Sequence, residues 1–218
     1  MKTHHLSPHI FLKEEKLLTK NLCPGEKVYT EKLISKNGIE YRFWNPSRSK
    51  LASAILNGLS HFPFTRDSKI LYLGAATGTT TSHISDVAEE GILFCIEFSP
   101  RALRELIYVS ESRKNIIPIL KDASNPKSYA DLVSQVDIIY QDIAQKRQSE
   151  ILIKNLIFLK ENGYVFMCIK ARSIDVTLKP KEIFEREINF LKDHLKILQT
   201  INLEPFQADH IMVVGRKK

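Results

Sequence analysis

Four polar residues stand at the mouths of apolar runs in this 218-residue chain: Asp122, Asp142, Lys170 and His210. In an open α/β sheet the strand ends are where a ligand sits and where chemistry is done. Asp122 follows NIIPIL and can accept from an amino group such as that of adenine. Asp142 follows VDIIYQ, and Lys170 ends VFMCIK. A carboxylate next to an ammonium keeps both charged, because each favours the ionised form of the other. His210 opens the last apolar run, and histidine is the type whose ordinary pKa lies near neutrality, so it can take up a proton at pH 7. Taken singly, each of the four is equally well explained as a solvated residue at a strand end.

The segment KILYLGAATGTTT (69–81) adds a ligand-binding pattern. Ile70 to Leu73 read as a buried strand, and Gly74 and Gly78 allow a tight turn that approaches a ligand closely. Thr79, Thr80 and Thr81 open a helix whose first N–H groups lack internal partners. The spacing is Gly74-x-x-x-Gly78, not the G-x-G-x-x-G of dinucleotide sites, which counts against a NAD-dependent oxidoreductase. Glu97 ends the next apolar run, 19 residues beyond Gly78, where a carboxylate can accept both hydroxyls of a ribose. The combination favours S-adenosylmethionine, held by Gly74, Ala75, Ala76, Thr77, Gly78, Thr79, Thr80, Glu97 and Asp122. An ordinary strand-to-helix turn is the plainer reading of the glycines alone.

The elements that must position these residues alternate from Lys69 onward. Strands read at 69–74, 92–97, 115–120, 136–141, 163–169, 197–203 and 210–215, and helices at 79–88, 100–112, 127–133, 146–160 and 180–195. The last two strands have no helix between them, so they pair antiparallel. The expected fold is therefore α/β, a Rossmann-like sheet that is mostly parallel with one antiparallel strand. Residues 1–45 are organised differently, as short segments at Ile10–Leu12, Lys16–Thr19, Val28–Ser35 and Ile39–Phe43. Asn37-Gly38 between the last two is a hairpin signal. This stretch reads as a small antiparallel β unit, and 46–218 as the main domain. Asn45-Pro46 reads as a cap and first-turn proline for a helix from Ser47 to Gly58.

Composition sets bounds. Hydrophobic residues make up 43% of the chain, enough for a sizeable core, and no run of 18 apolar residues occurs. The N-terminus has no apolar core of a signal peptide. Cys23, Cys95 and Cys168 form no CxxC pair and read as buried thiols in a reducing compartment; nothing in the His and Cys spacing suggests a metal. The formal charge of +7 favours a polyanionic partner such as RNA.

Several longer segments carry a resemblance: YRFWNPSRSKLASAIL (41–56), YLGAATGTTTSHISD (72–86), EFSPR (97–101), NIIPILKDA (115–123), DIAQ (142–145), IKARSID (169–175) and LEPFQADHIMVVG (203–215), with TKNLCPGEKVY (19–29) near the N-terminus. Together they resemble the archaeal fibrillarin family, over nearly the whole chain and in order. The resemblance implies an S-adenosylmethionine-dependent methyltransferase fold. It implies the catalytic subunit of a box C/D guide ribonucleoprotein that methylates the ribose 2′-hydroxyl of rRNA and tRNA. Matched by motif, the catalytic set falls on Lys50, Asp142, Lys170 and His210, and Phe98, Ala123, Asp142 and Gln145 join the cofactor contacts. Gln141 departs from the small residue the family often has beside the aspartate. The implied partners are box C/D guide RNA, target RNA, a Nop-domain scaffold protein and a kink-turn-binding ribosomal-type protein, with no membrane, in the cytoplasm of an archaeal cell. A non-catalytic cofactor-binding scaffold subunit of an RNA–protein complex is the alternative, which would have no chemical need for the four residues.

Overall fold

The computed structural model describes all 218 residues. The N-terminal strands are β1 (Lys2–His4), β2 (Ser7–Lys13), β3 (Lys16–Lys20), β4 (Leu33–Lys36) and β5 (Ile39–Phe43). They form one antiparallel sheet in the order β1-β2-β3-β5-β4. Asn37 and Gly38 both have positive φ (52° and 77°), the backbone of a two-residue hairpin turn whose twist matches its strands. Strand β4 begins at Leu33, not at Val28 as expected. The N–H groups of Val28 and Tyr29 turn instead to the Glu31 carboxylate, and Thr30 adopts φ 68°, which no strand tolerates.

After α1 (Lys50–Leu56) the chain builds β6 (Lys69–Leu73), α2 (Thr79–Val87), β7 (Ile92–Glu97), α3 (Pro100–Ser112), β8 (Ile116–Leu120), β9 (Val136–Gln141), α4 (Gln148–Asn155), β10 (Leu159–Lys170), α5 (Ala171–Ile174), α6 (Pro180–Lys192), β11 (Leu195–Asn202) and β12 (His210–Lys217). The second sheet runs β11-β12-β10-β9-β6-β7-β8, and β12 is its one antiparallel strand. Successive residues of β6 face opposite layers: Ile70 and Tyr72 join the core beneath α1, α2 and the N-terminal sheet, while Leu71 and Leu73 join the core beneath α4 and α6. A strand buried on both faces reads as a continuous apolar run, which is why KILYL shows no alternation.

Further expected boundaries move, among them the end of the helix expected at 180–195, which stops at Lys192 so that Leu195 opens β11. Helix α1 starts at Lys50 rather than Ser47, because Ser49 is its cap, accepting from the Ala52 N–H, while Asn45 Oδ1 accepts from Ser47 N–H in a preceding turn. The expected helix 127–133 is a single 3₁₀ turn, Pro126–Tyr129. The expected helix 146–160 ends at Asn155 and passes through a short 3₁₀ turn into β10, whose Leu159 pairs with Val136. Leu159, inside that expected helix, thus belongs to a strand.

Candidate active site

Strand ends and helix starts meet above the middle of the second sheet. Asp142 leaves β9 with its N–H on the Leu73 carbonyl (2.9 Å). Lys170 ends β10, and its ammonium lies 2.8 Å from Asp142 Oδ1 while donating to the Asp142 main-chain carbonyl at 3.1 Å. Lys50, first residue of α1, reaches Asp142 Oδ2 at 3.2 Å. His210 opens β12 directly opposite Lys170 in the antiparallel register, which puts the two side chains on one face. All four residues singled out by motif therefore converge.

The electrostatics follow from burial and pairing. Burial alone would raise the Asp142 carboxyl pKa, but the two ammonium groups outweigh it and hold it below the usual aspartate value. Burial alone would lower the Lys50 pKa, and Asp142 beside it reverses the sign. The His210 pKa lies below the ordinary histidine value, mainly through burial, with Lys50 and Lys170 pushing the same way. Its Nδ1 lies within hydrogen-bond distance of the Ala208 carbonyl. A carbonyl only accepts, so Nδ1 carries the proton and the neutral ring keeps the lone pair on Nε2. Cys168, under this cluster, is a buried thiol pushed up to about 12 by burial, and all three cysteines are unpaired.

The glycine turn lies against the same cluster. Gly74 has φ 81°, and a Cβ there would come within 2.8 Å of both the Asp142 carbonyl oxygen and Ile143 Cγ2. Only glycine lets the end of β6 approach the carbonyl that Lys170 holds. Gly78, with φ 91°, caps α2, and the N–H groups of Thr79, Thr80 and Thr81 have no acceptor within the chain. Glu97 is buried; its carboxylate accepts from Ala76 N–H and Ser99 N–H, both at 2.9 Å. A carboxylate has about four acceptor positions, so capacity for two hydroxyls remains. Beyond it, Phe98 is 65% exposed, an aromatic face open to stacking. Asp122 is exposed with Oδ1 on Ser124 N–H (2.8 Å), Ala123 beside it is buried, and Gln145 lines a neighbouring cleft together with Ser124. These features fit a nucleoside with a charged amino-acid tail.

Sequence reading passed over what holds these parts together. Thr80 Oγ1 donates to Ser49 Oγ (3.0 Å), tying the first turn of α2 to the cap of the helix that begins with Lys50. Gln207 Nε2 donates to the Pro46 carbonyl (3.1 Å), tying the loop before His210 to the same turn. The N-terminal sheet is fastened to α2 by a buried ionic cluster. Asp86 accepts from Arg42 (2.9 Å), Arg113 (2.5 Å), Thr19 (2.6 Å) and Leu22 N–H (3.0 Å), and Arg42 also pairs with Glu31. The signal for it was an arginine or aspartate inside an otherwise apolar stretch, YRFW and SHISDVA, which spacing alone does not pair.

The whole chain, residues 1–218, matches the protein-family profile described as Fibrillarin. The chain belongs to the fibrillarin family. The fibrillarin-like rRNA/tRNA 2′-O-methyltransferase of Methanocaldococcus jannaschii is 53% identical over 203 residues, covering 92% of this chain and 88% of the relative. Among solved structures, Aeropyrum pernix fibrillarin in complex with natively bound S-adenosyl-L-methionine superposes with TM-score 0.91 at 44% identity, covering 98% of this chain and 96% of that one. The fibrillarin of a fibrillarin/Nop5p complex superposes with TM-score 0.90 at 41% identity, covering 96% and 98%. The α/β methyltransferase fold expected from the alternating pattern is the one these fibrillarins share.

Proposed function

We propose that this fibrillarin transfers a methyl group from S-adenosylmethionine to a ribose 2′-hydroxyl of RNA. The observation that carries the reading is Asp142, mostly buried and paired with both Lys50 and Lys170 beside the Gly74 turn. A subunit with only a scaffolding role would have no use for three ionised groups gathered largely out of water. The cofactor, when bound, supplies a methyl made electrophilic by a positive sulfur. Gly74 to Thr80, Glu97, Phe98, Asp122, Ala123, Asp142 and Gln145 are the groups we assign to hold it.

The hydroxyl must be placed about 3–3.5 Å from the carbon it attacks, and most of the acceleration comes from that placement. Lys170, its ammonium 2.8 Å from Asp142 Oδ1, stabilises the alkoxide character that develops on the oxygen. A charged ammonium has no lone pair, so Lys170 orients and stabilises rather than acting as base. His210, neutral at pH 7 with Nε2 unprotonated, accepts the hydroxyl proton directly or through a water. Lys50 frames the nucleotide and shares the charge of Asp142.

The net charge of +7 and the cleft of about 590 Å³ beside the turn, where Lys27, Arg48 and Arg101 outnumber Glu26 and Glu105, suit a phosphate backbone approaching from that side. No helix is long and apolar enough to cross a membrane. With no RNA-reading module in the sequence, target choice falls to a box C/D guide RNA. A Nop-domain protein, as in the fibrillarin/Nop5p complex, and a kink-turn-binding protein complete the assembly we propose, in the cytoplasm of an archaeal cell.

Glu97→Ala tests the cofactor assignment. It removes the acceptor for the ribose and also frees the Ala76 and Ser99 N–H groups. Affinity for S-adenosylmethionine should weaken by roughly 1–3 kcal/mol, the range for hydrogen bonds to a charged group. Isothermal titration calorimetry reads this directly; an unchanged dissociation constant removes Glu97 from the site.

A further inference from the structure

Strand β9 stops at Gln141, opposite Met167, yet β10 runs on to Lys170. The last residues of β10 therefore have no strand on their β9 side. Gln148, the fully buried first residue of α4, fills that place at Lys170. Lys170 N–H donates to Gln148 Oε1 (3.0 Å), and Gln148 Nε2 donates to the Lys170 carbonyl (3.2 Å). The amide orientation is forced, because turning it would set its NH₂ against an N–H donor and its oxygen against a carbonyl. Gln148 is held in turn by Gln141, also fully buried, whose Nε2 donates to the Gln148 carbonyl (2.9 Å). Gln141 immediately precedes Asp142. One chain of buried amides thus links the backbone that carries Asp142 to the backbone that carries Lys170.

We propose that Gln148 is a positioning residue for methyl transfer: its side-chain amide replaces the missing strand at Lys170 and sets the Lys170 ammonium against Asp142. A strand end held by a ladder on one side only, as Lys170 is by β12, frays at less cost than one held on both. A frayed Lys170 would move its ammonium, and a displacement of about 1 Å in such a site can cost about 10²-fold in rate. The inference rests on the role given to Lys170 above.

Gln148→Met keeps the length of the side chain and deletes both hydrogen bonds. In the complex reconstituted with guide RNA and partner proteins, the single-turnover rate should fall about 10- to 100-fold. The dissociation constant for S-adenosylmethionine should stay within about twofold, because Gln148 reaches the site only through Lys170. The deciding measurement is the double-mutant cycle with Lys170→Ala. If Gln148 acts through the ammonium, the double variant is no slower than K170A alone; a merely structural role would make the losses add. Should Q148M not fold, Gln148→Glu retains the acceptor facing Lys170 N–H and is put through the same cycle, with a smaller loss expected. A Q148M rate within threefold of wild type while K170A is slow, or additive losses, overturns the clamp alone. A K170A complex as fast as wild type overturns the role of Lys170 and the clamp with it.

Discussion

Replacing Lys170 with alanine should slow methyl transfer by about 10²–10³-fold while leaving the fold and the cofactor affinity in place. The magnitude is that of removing one preorganised group that stabilises a developing negative charge. The fold should survive because Asp142 keeps Lys50 at 3.2 Å as a counter-ion and its N–H on Leu73. Cofactor affinity should hold because the lysine addresses the ribose oxygen, and the turn and Glu97 are untouched. Lys170→Arg should rescue poorly: a planar guanidinium cannot occupy the place of a compact ammonium that touches both Asp142 Oδ1 and the Asp142 carbonyl. Single-turnover transfer in the reconstituted complex, with cofactor binding measured separately, checks both variants. A K170A rate within about threefold of wild type would be worth less than about 0.7 kcal/mol. That is too little for a charge placed at the reacting oxygen.

The second large effect lies away from the chemistry. Asp86→Asn should destabilise the protein by about 3–5 kcal/mol, the cost of stripping a buried ion cluster of one partner. Arg42 and Arg113 are both fully buried, and with Asp86 neutral only Glu31 remains to balance them. For a chain of this length the loss corresponds to a drop of roughly 6–20 °C in the melting temperature. The cluster joins β3 and β5 to α2 and to Arg113, the residue just after α3, so the melt should also show the N-terminal sheet loosening first. Thermal unfolding followed by circular dichroism, with hydrogen exchange at Thr19 and Leu22, reads both. A melting temperature within 2 °C of wild type would mean that the cluster contributes specificity of packing and little stability.

How much of this was legible in the sequence depends on the range of the interaction. The glycine turn, the strands and the antiparallel final pair were readable because apolar runs and turn chemistry act over a few neighbours. KILYLGAATG announces a strand and a turn without help from elsewhere. Asp142, Lys170 and His210 stood out because strand ends expose them, while Lys50 rested on the resemblance of NPSRSK alone. What stayed hidden was long-range and polar. Arg42 meets Asp86 across 44 residues, and Gln148 meets Lys170 across 22. No periodicity pairs such residues, and a glutamine at the start of a helix looks like a solvated first turn. Helix 127–133 stops after one turn for a reason equally distant in sequence, since Tyr129 is drawn into the core, where its hydroxyl bonds Asn155 across 26 residues.

The central claim is that this chain methylates the ribose 2′-hydroxyl within a guide ribonucleoprotein. Reconstitution with a box C/D RNA, a Nop-domain protein and a kink-turn-binding protein, followed by mapping of methylated riboses on a target RNA, tests it most directly. The expected result is one methylated ribose at the position the guide selects, moving when the guide is changed, and little methylation by the isolated protein. Efficient, site-selective methylation of naked RNA by the protein alone, or an assembled complex with bound cofactor that methylates nothing, would contradict the account.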